Sequence, residues 1–131
     1  MVIGFTKLNA QNNSEKNLFG TWSASASKTT IQKNGTSTIE KITCNVCPKV
    51  VFTFERKIRN ASVIKPNGNK ENYIWSIKDN TIVLYNIDAK ANLNPFFVSG
   101  TKYKLKYLRK KGTNELELVN QNTKSSIILN K

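Results

Sequence analysis

Period two dominates this chain. From about residue 19 onward, apolar and aromatic residues recur at every second position in short runs, separated by Asn, Gly, Asp and Lys. Such alternation gives a strand one apolar and one polar face, and almost no stretch carries the three-to-four spacing of an amphipathic helix. The runs fall near residues 19–28, 36–43, 49–55, 58–65, 71–78, 81–87, 102–109, 115–120 and 125–130. Their mostly short connections predict an all-β fold of sequential hairpins. This is an antiparallel up-and-down β-barrel of about eight to nine strands, rather than a Greek-key sandwich. A chain of 131 residues can bury one core but not two. Residues 17–131 therefore read as one barrel domain, preceded by a residual signal peptide or N-terminal arm over residues 1–16.

Register follows from asking which turn length sets apolar residues opposite apolar ones, because a one-residue slip would invert every side chain. A tight turn at Asp79-Asn80 sets Trp75 opposite Leu84 and Ile77 opposite Ile82. A loop at Lys110 to Thr113 sets Tyr107 opposite Leu116 and Leu105 opposite Leu118, with Lys106 facing Glu117 on the outside. A turn at Arg56-Lys57 pairs Phe52 with Ala61 and Phe54 with Arg59. A loop at Pro66 to Lys70 pairs Val63 with Tyr73 and Lys65 with Glu71. The resulting inner face is rich in large rings. A barrel of this size is either filled by its own side chains or holds one small ligand, and the pattern leaves both open.

If hollow, the interior suits an apolar molecule with one polar or acidic end. Phe52, Phe54, Tyr73, Trp75, Tyr103 and Tyr107 would form the walls, and Arg59 would supply a charged contact. The connection from Asp88 to Thr101 is the longest in the body and contains Pro95-Phe96-Phe97. Phe96 and Phe97 could cover the open mouth as a lid or add a short closing strand; the pattern favours simple closure.

Gly20-Thr21-Trp22 opens the first strand after the N-terminal arm and matches the G-x-W signature that begins lipocalins. Together with C-P-x-x-x-F-x-F at Cys47 to Phe54 and with Trp75-Ser76-Ile77, residues 17–131 resemble the short bacterial lipocalin-like domains of exported proteins. The resemblance implies that Trp22 plugs the closed end of the barrel, that Arg109 is the late-strand cation for its ring, and that the interior binds a small hydrophobic molecule.

The formal charge of +13 arises from 21 Lys+Arg against 8 Asp+Glu, with no His. The lack of His excludes Ser-His-Asp and Cys-His nucleophile pairs and His-containing metal sites. The eight carboxylates are scattered, and no phosphate-loop, dinucleotide or nucleophile-elbow motif occurs, so the chain reads as a non-enzyme without cofactor or metal. Cys44-Asn45-Val46-Cys47-Pro48 leads into a strand rather than a helix. A local disulfide is therefore the favoured reading over free thiols or a redox or metal role.

From Lys102 to Lys111 six of ten residues are cationic. Lys102, Lys104 and Lys106 alternate with Tyr103, Leu105 and Tyr107, and Lys110 and Lys111 follow. Alternation puts lysines and rings on opposite faces, so no single surface combines stacking with phosphate contacts, and specific nucleic-acid recognition is not expected. The charge would still attract a polysaccharide, lipid headgroup or nucleic acid weakly. Leu8-Asn9-Ala10 resembles an export cleavage site, which suggests a secreted or periplasmic product. No run is long enough for a membrane-spanning helix. The expected protein is a monomeric, exported binder of a small hydrophobic or amphipathic ligand, and the alternative is a module that binds an anionic partner through its basic face.

Overall fold

Three two-residue turns begin the fold by reversing the chain with the right twist. Asn34-Gly35, Arg56-Lys57 and Asp79-Asn80 all have positive φ at both positions, the mirror-image turn geometry whose twist matches that of flanking strands. Arg56 (φ 51°) and Lys57 (φ 64°) are unusual there, because their Cβ atoms disfavour the left-handed region. Replacing Arg56-Lys57 by Asn-Gly should stabilise the protein by about 1–2 kcal/mol. A thermal melt reads this as a rise of several degrees.

The computed structural model describes residues 17–88, 95–110 and 113–131, without the side chains of Arg109, Lys110 and Thr113. The expectation that residues 1–16 include a residual signal peptide lies outside the described residues. Nine strands follow in order: β1 (Gly20–Lys33), β2 (Thr36–Thr43), β3 (Lys49–Glu55), β4 (Ile58–Ile64), β5 (Lys70–Lys78), β6 (Thr81–Asn86), β7 (Lys102–Lys110), β8 (Thr113–Asn120) and β9 (Ser126–Asn130). All pairings are antiparallel, and β1 pairs with both β3 and β9. Eight strands thus close a barrel, and β2 is an extra strand attached to the far half of β1. The all-β up-and-down barrel expected from the sequence is the fold observed.

Strand β1 runs five residues beyond the expected end at Lys28. A bulge falls between Ala24 and Ala26; Ala26–Lys28 still pair with β9 in the barrel wall, and Ala26–Lys33 pair on the other side with β2, every residue of which is exposed. The hairpin registers at Arg56-Lys57, Asp79-Asn80 and Lys110 to Thr113 match those read from the sequence. Pairing in the last extends to Lys110 and Thr113 themselves, two residues further than expected for a loop over 110–113.

The β4–β5 hairpin differs. Val63 lies opposite Glu71, and Ala61 opposite Tyr73, a shift of two residues from the expected Val63–Tyr73 pairing. The longer connection is the cause: Lys65 N–H bonds back to the Asn69 carbonyl at 2.8 Å, which closes a tighter turn than Pro66 to Lys70. A shift of two keeps the same face inward, so the inner residues are unchanged. Glu71 shares that inward face with Tyr73 and Trp75, and the register sets it opposite Val63.

One end of the barrel carries the Arg56-Lys57 and Asp79-Asn80 turns and both ends of the domain, whereas Asn34-Gly35 lies beyond the far end of β1. The other carries the longer connections, including residues 95–101. Trp22 (1% exposed) and Leu18 close the terminal end, and the Trp22 indole N–H donates to the Leu18 carbonyl at 2.7 Å. Gly20 sits between them with φ 118°, and a Cβ there would lie 3.0 Å from the Lys131 side chain. Gly20→Ala should therefore cost about 1–3 kcal/mol, measured by denaturant unfolding.

Candidate functional site

The inner face gathers rings at both ends of the barrel, with aliphatic residues such as Ile82, Leu84, Leu105 and Leu118 buried between them. The residues expected to contact a ligand therefore fall into two groups.

At the terminal end, Trp75 meets Phe52 edge-on, with centroids 5.9 Å apart, and Phe19 at 5.8 Å. Its indole N–H donates to the Asn60 carbonyl at 3.0 Å. Arg59 lies with its guanidinium 5.1 Å from the Phe54 ring and 5.8 Å from Trp75. Phe54 is 48% exposed, so this pair caps the rim rather than standing in the interior. Tyr107 is half-buried and borders a recess of about 320 Å³ with Trp22, Asn114 and Lys131, and burial pushes its phenol up to about 12. The cation over Trp22 is Lys131, whose Nζ is 5.2 Å from the ring. Arg109, expected in that role, has its side chain outside the described residues. Sequence reading missed Lys131 because a terminal lysine carries no pattern.

At the loop end, Phe97 is fully buried and meets Tyr73 and Tyr103 edge-on, at 5.4 and 5.9 Å. Phe96 packs on Phe97 at 4.8 Å. Residues 95–98 form no strand. They are held instead by side chains of the barrel wall. Phe96 N–H donates to Glu71 Oε1 at 3.0 Å, Phe97 N–H to the Tyr73 hydroxyl at 3.3 Å, and Val98 N–H to the Tyr103 hydroxyl at 2.9 Å. Three consecutive backbone donors thus meet three side-chain acceptors. The short closing strand is not formed: Phe96 and Phe97 instead fold over the loop end of the barrel, with Phe97 buried.

Glu71 is the only charged side chain among the buried described residues. Its Oε1 also accepts from the Tyr73 hydroxyl at 2.7 Å, and its Oε2 faces Lys65 Nζ at 2.9 Å. Burial alone would push its carboxyl up. The Tyr73 hydroxyl, Lys65 and the Phe96 N–H together outweigh that and hold it below the usual carboxylate value. Burial likewise raises the Tyr73 and Tyr103 phenols, so both stay neutral hydrogen-bonding groups. Glu71 was missed as a site residue, although its parity with Tyr73 and Trp75 was the available signal.

Cys44 and Cys47 stand at disulfide distance, with Cα atoms 5.5 Å apart. The short loop they span is docked on β1, where Cys44 N–H meets the Ser25 carbonyl at 2.8 Å and Ala24 N–H meets the Pro48 carbonyl at 3.0 Å. Among the described residues no three potential metal ligands cluster, and no helix is long and apolar enough to cross a membrane.

On the outside, Lys102, Lys104 and Lys106 are exposed. The described pairings place Lys78, Thr81, Lys104, Val119, Ser126, Lys28 and Lys41 in one row across seven strands. Glu117, two residues along β8 from Val119 and opposite Lys106, adjoins this row and is engaged by Lys28 at 3.6 Å and Ser126 at 2.6 Å. Lys110 is placed only by its backbone in β7, and Lys111 lies outside the described residues.

No protein-family model, curated protein or solved structure matches the chain.

Proposed function

We propose that this chain is a non-enzymatic, lipocalin-like binder of a small hydrophobic or amphipathic ligand, taken into the barrel interior at the loop end. The lid carries this reading. A loop meant only to close a barrel would be expected to pair with a strand edge, whereas residues 96–98 are held by three polar side chains that the interior would otherwise offer to a guest. Phe97 then occupies the ligand's place, and a guest enters as the lid leaves. The G-x-W start and the plugged terminal end support the lipocalin-like assignment, and the Cys44–Cys47 pair fits a secreted or periplasmic product acting as a monomer. Titration with fatty acids, sterols and aromatic compounds should shift Trp75 emission in a Trp22→Phe background for at least one class. Silence across all three classes would remove the proposal.

The row of lysines favours a second reading, an outer face that holds an anionic polymer. Lys28, Lys41, Lys78 and Lys104 share one level of the wall, flanked by Lys102 and Lys106. Retention on heparin should fall steeply with salt, and reversing Lys102, Lys104 and Lys106 to Glu should abolish it. Unchanged elution of the triple variant would reduce the belt to a solvated face.

A further inference from the structure

The lid end of the barrel is lined by acceptors, and this restricts the chemistry of what can replace the lid. Tyr73 has committed its proton to Glu71 Oε1 and turns an oxygen lone pair toward the Phe97 N–H. Tyr103 accepts from the Val98 N–H, and the Glu71 carboxylate, anchored by Lys65 on its other oxygen, accepts from the Phe96 N–H. Beside these oxygens lies the pocket for one aromatic ring, now filled by Phe97 between Tyr73 and Tyr103.

We infer that the ligand socket at this end selects an aromatic molecule bearing N–H donors, such as an aromatic amine or amide, and that the lid occupies the socket as an internal stand-in for it. This rests on the ligand-binding reading above and narrows it. A guest with a carboxylate head would meet the Glu71 carboxylate and a Tyr73 hydroxyl whose proton is already given to Glu71, so that like charges stand close and only the Tyr103 hydroxyl could donate to it. The acidic end expected from the sequence relied on Arg59. That residue lies at the opposite rim, stacked on Phe54 and Trp75, and cannot serve a head group beside Phe97.

The test uses the full chain with Phe97→Ala, which vacates the ring pocket, and two probes of equal size: 2-phenylethylamine and 3-phenylpropionate. The amine should raise the melting temperature of Phe97→Ala and bind it at least about tenfold tighter than the carboxylate. Adding Glu71→Gln should remove most of that preference. The inference is overturned if the carboxylate binds as well as the amine, or if neither binds. Should Phe97→Ala fail to fold, Phe97→Leu keeps most of the packing and carries the same comparison. In that variant, amide exchange at Phe96 and Val98 should quicken with the amine and not with the carboxylate; no difference between the probes overturns the inference. If a sterol or fatty acid shifts Trp75 emission while the amine leaves these amides unmoved, the barrel is a ligand binder and the acceptor socket alone falls. Failure of every ligand in both experiments removes both.

Discussion

Trp22→Ala is expected to cost about 3–5 kcal/mol and to leave the domain largely unfolded at 37 °C. The indole is 1% exposed and closes the terminal end of the barrel. Truncation leaves a cavity that a closed sheet cannot collapse around, because moving one strand would disrupt pairing on both of its sides. It also removes the donor from the Leu18 carbonyl and the ring under Lys131 Nζ. For a domain whose whole stability is on the order of 5–15 kcal/mol, this loss is a large share. Trp22→Phe retains most of the volume and should cost about 1–2 kcal/mol, which is why it serves as the background for Trp75 fluorescence. Equilibrium unfolding in urea checks both values; a Trp22→Ala loss under about 1 kcal/mol would mean that the ring does not plug the barrel.

Glu71→Gln should cost about 2–4 kcal/mol, and the loss should concentrate at the loop end. The amide that replaces the carboxylate must turn an N–H toward either the Tyr73 hydroxyl and Phe96 N–H or Lys65, all of which are donors to the present carboxylate. Amide exchange at Phe96, Phe97 and Val98 should therefore quicken well before the strands open. The same contacts define a pH dependence. Because the folded state holds the Glu71 carboxyl below its value of 4.5 in an unfolded chain, its stabilisation is complete at pH values above that level. It is lost as pH falls through the lower folded value, when the carboxylate takes up a proton. As pH falls below 4.5 the wild type should lose more stability than Glu71→Gln, which has no proton to bind at that position. Parallel curves for the two proteins would show that the carboxylate is not held in its charged form.

Much of the barrel was legible because period two survives in a small antiparallel sheet with one buried face. Trp75 and Leu84, or Leu105 and Leu118, can be matched across a hairpin from the sequence alone. Turns of two residues left almost no freedom in register. The β4–β5 connection is longer, and there parity fixed the face but not the offset: apolar matching favoured Val63 with Tyr73, whereas the observed pairing sets Val63 opposite Glu71. Glu71 has inward parity in either register, and it was passed over because a carboxylate is rarely buried on an apolar face.

The candidate site was legible by residue type more than by arrangement. Tyr73, Tyr103, Phe96 and Phe97 meet as one cluster, yet nothing in their spacing shows that three consecutive backbone N–H groups of the loop reach three side-chain oxygens. Long-range contacts made by a loop without regular structure leave no periodic trace. Arg59 illustrates the converse: its parity is inward, but its position beside the Arg56-Lys57 turn puts it at the rim. The projecting half of β1 was missed because Thr29 to Lys33 alternate weakly and bury nothing on their partner β2.

Native mass spectrometry of the full chain, incubated with a panel of hydrophobic and amphipathic compounds that includes aromatic amines, tests the central claim most directly. The account predicts a one-to-one adduct that survives transfer, disappears on denaturation, and strengthens in Phe97→Ala, where the guest no longer competes with the lid. A bare chain across the whole panel, in wild type and Phe97→Ala alike, would contradict it and leave the barrel as a filled scaffold for its basic outer face.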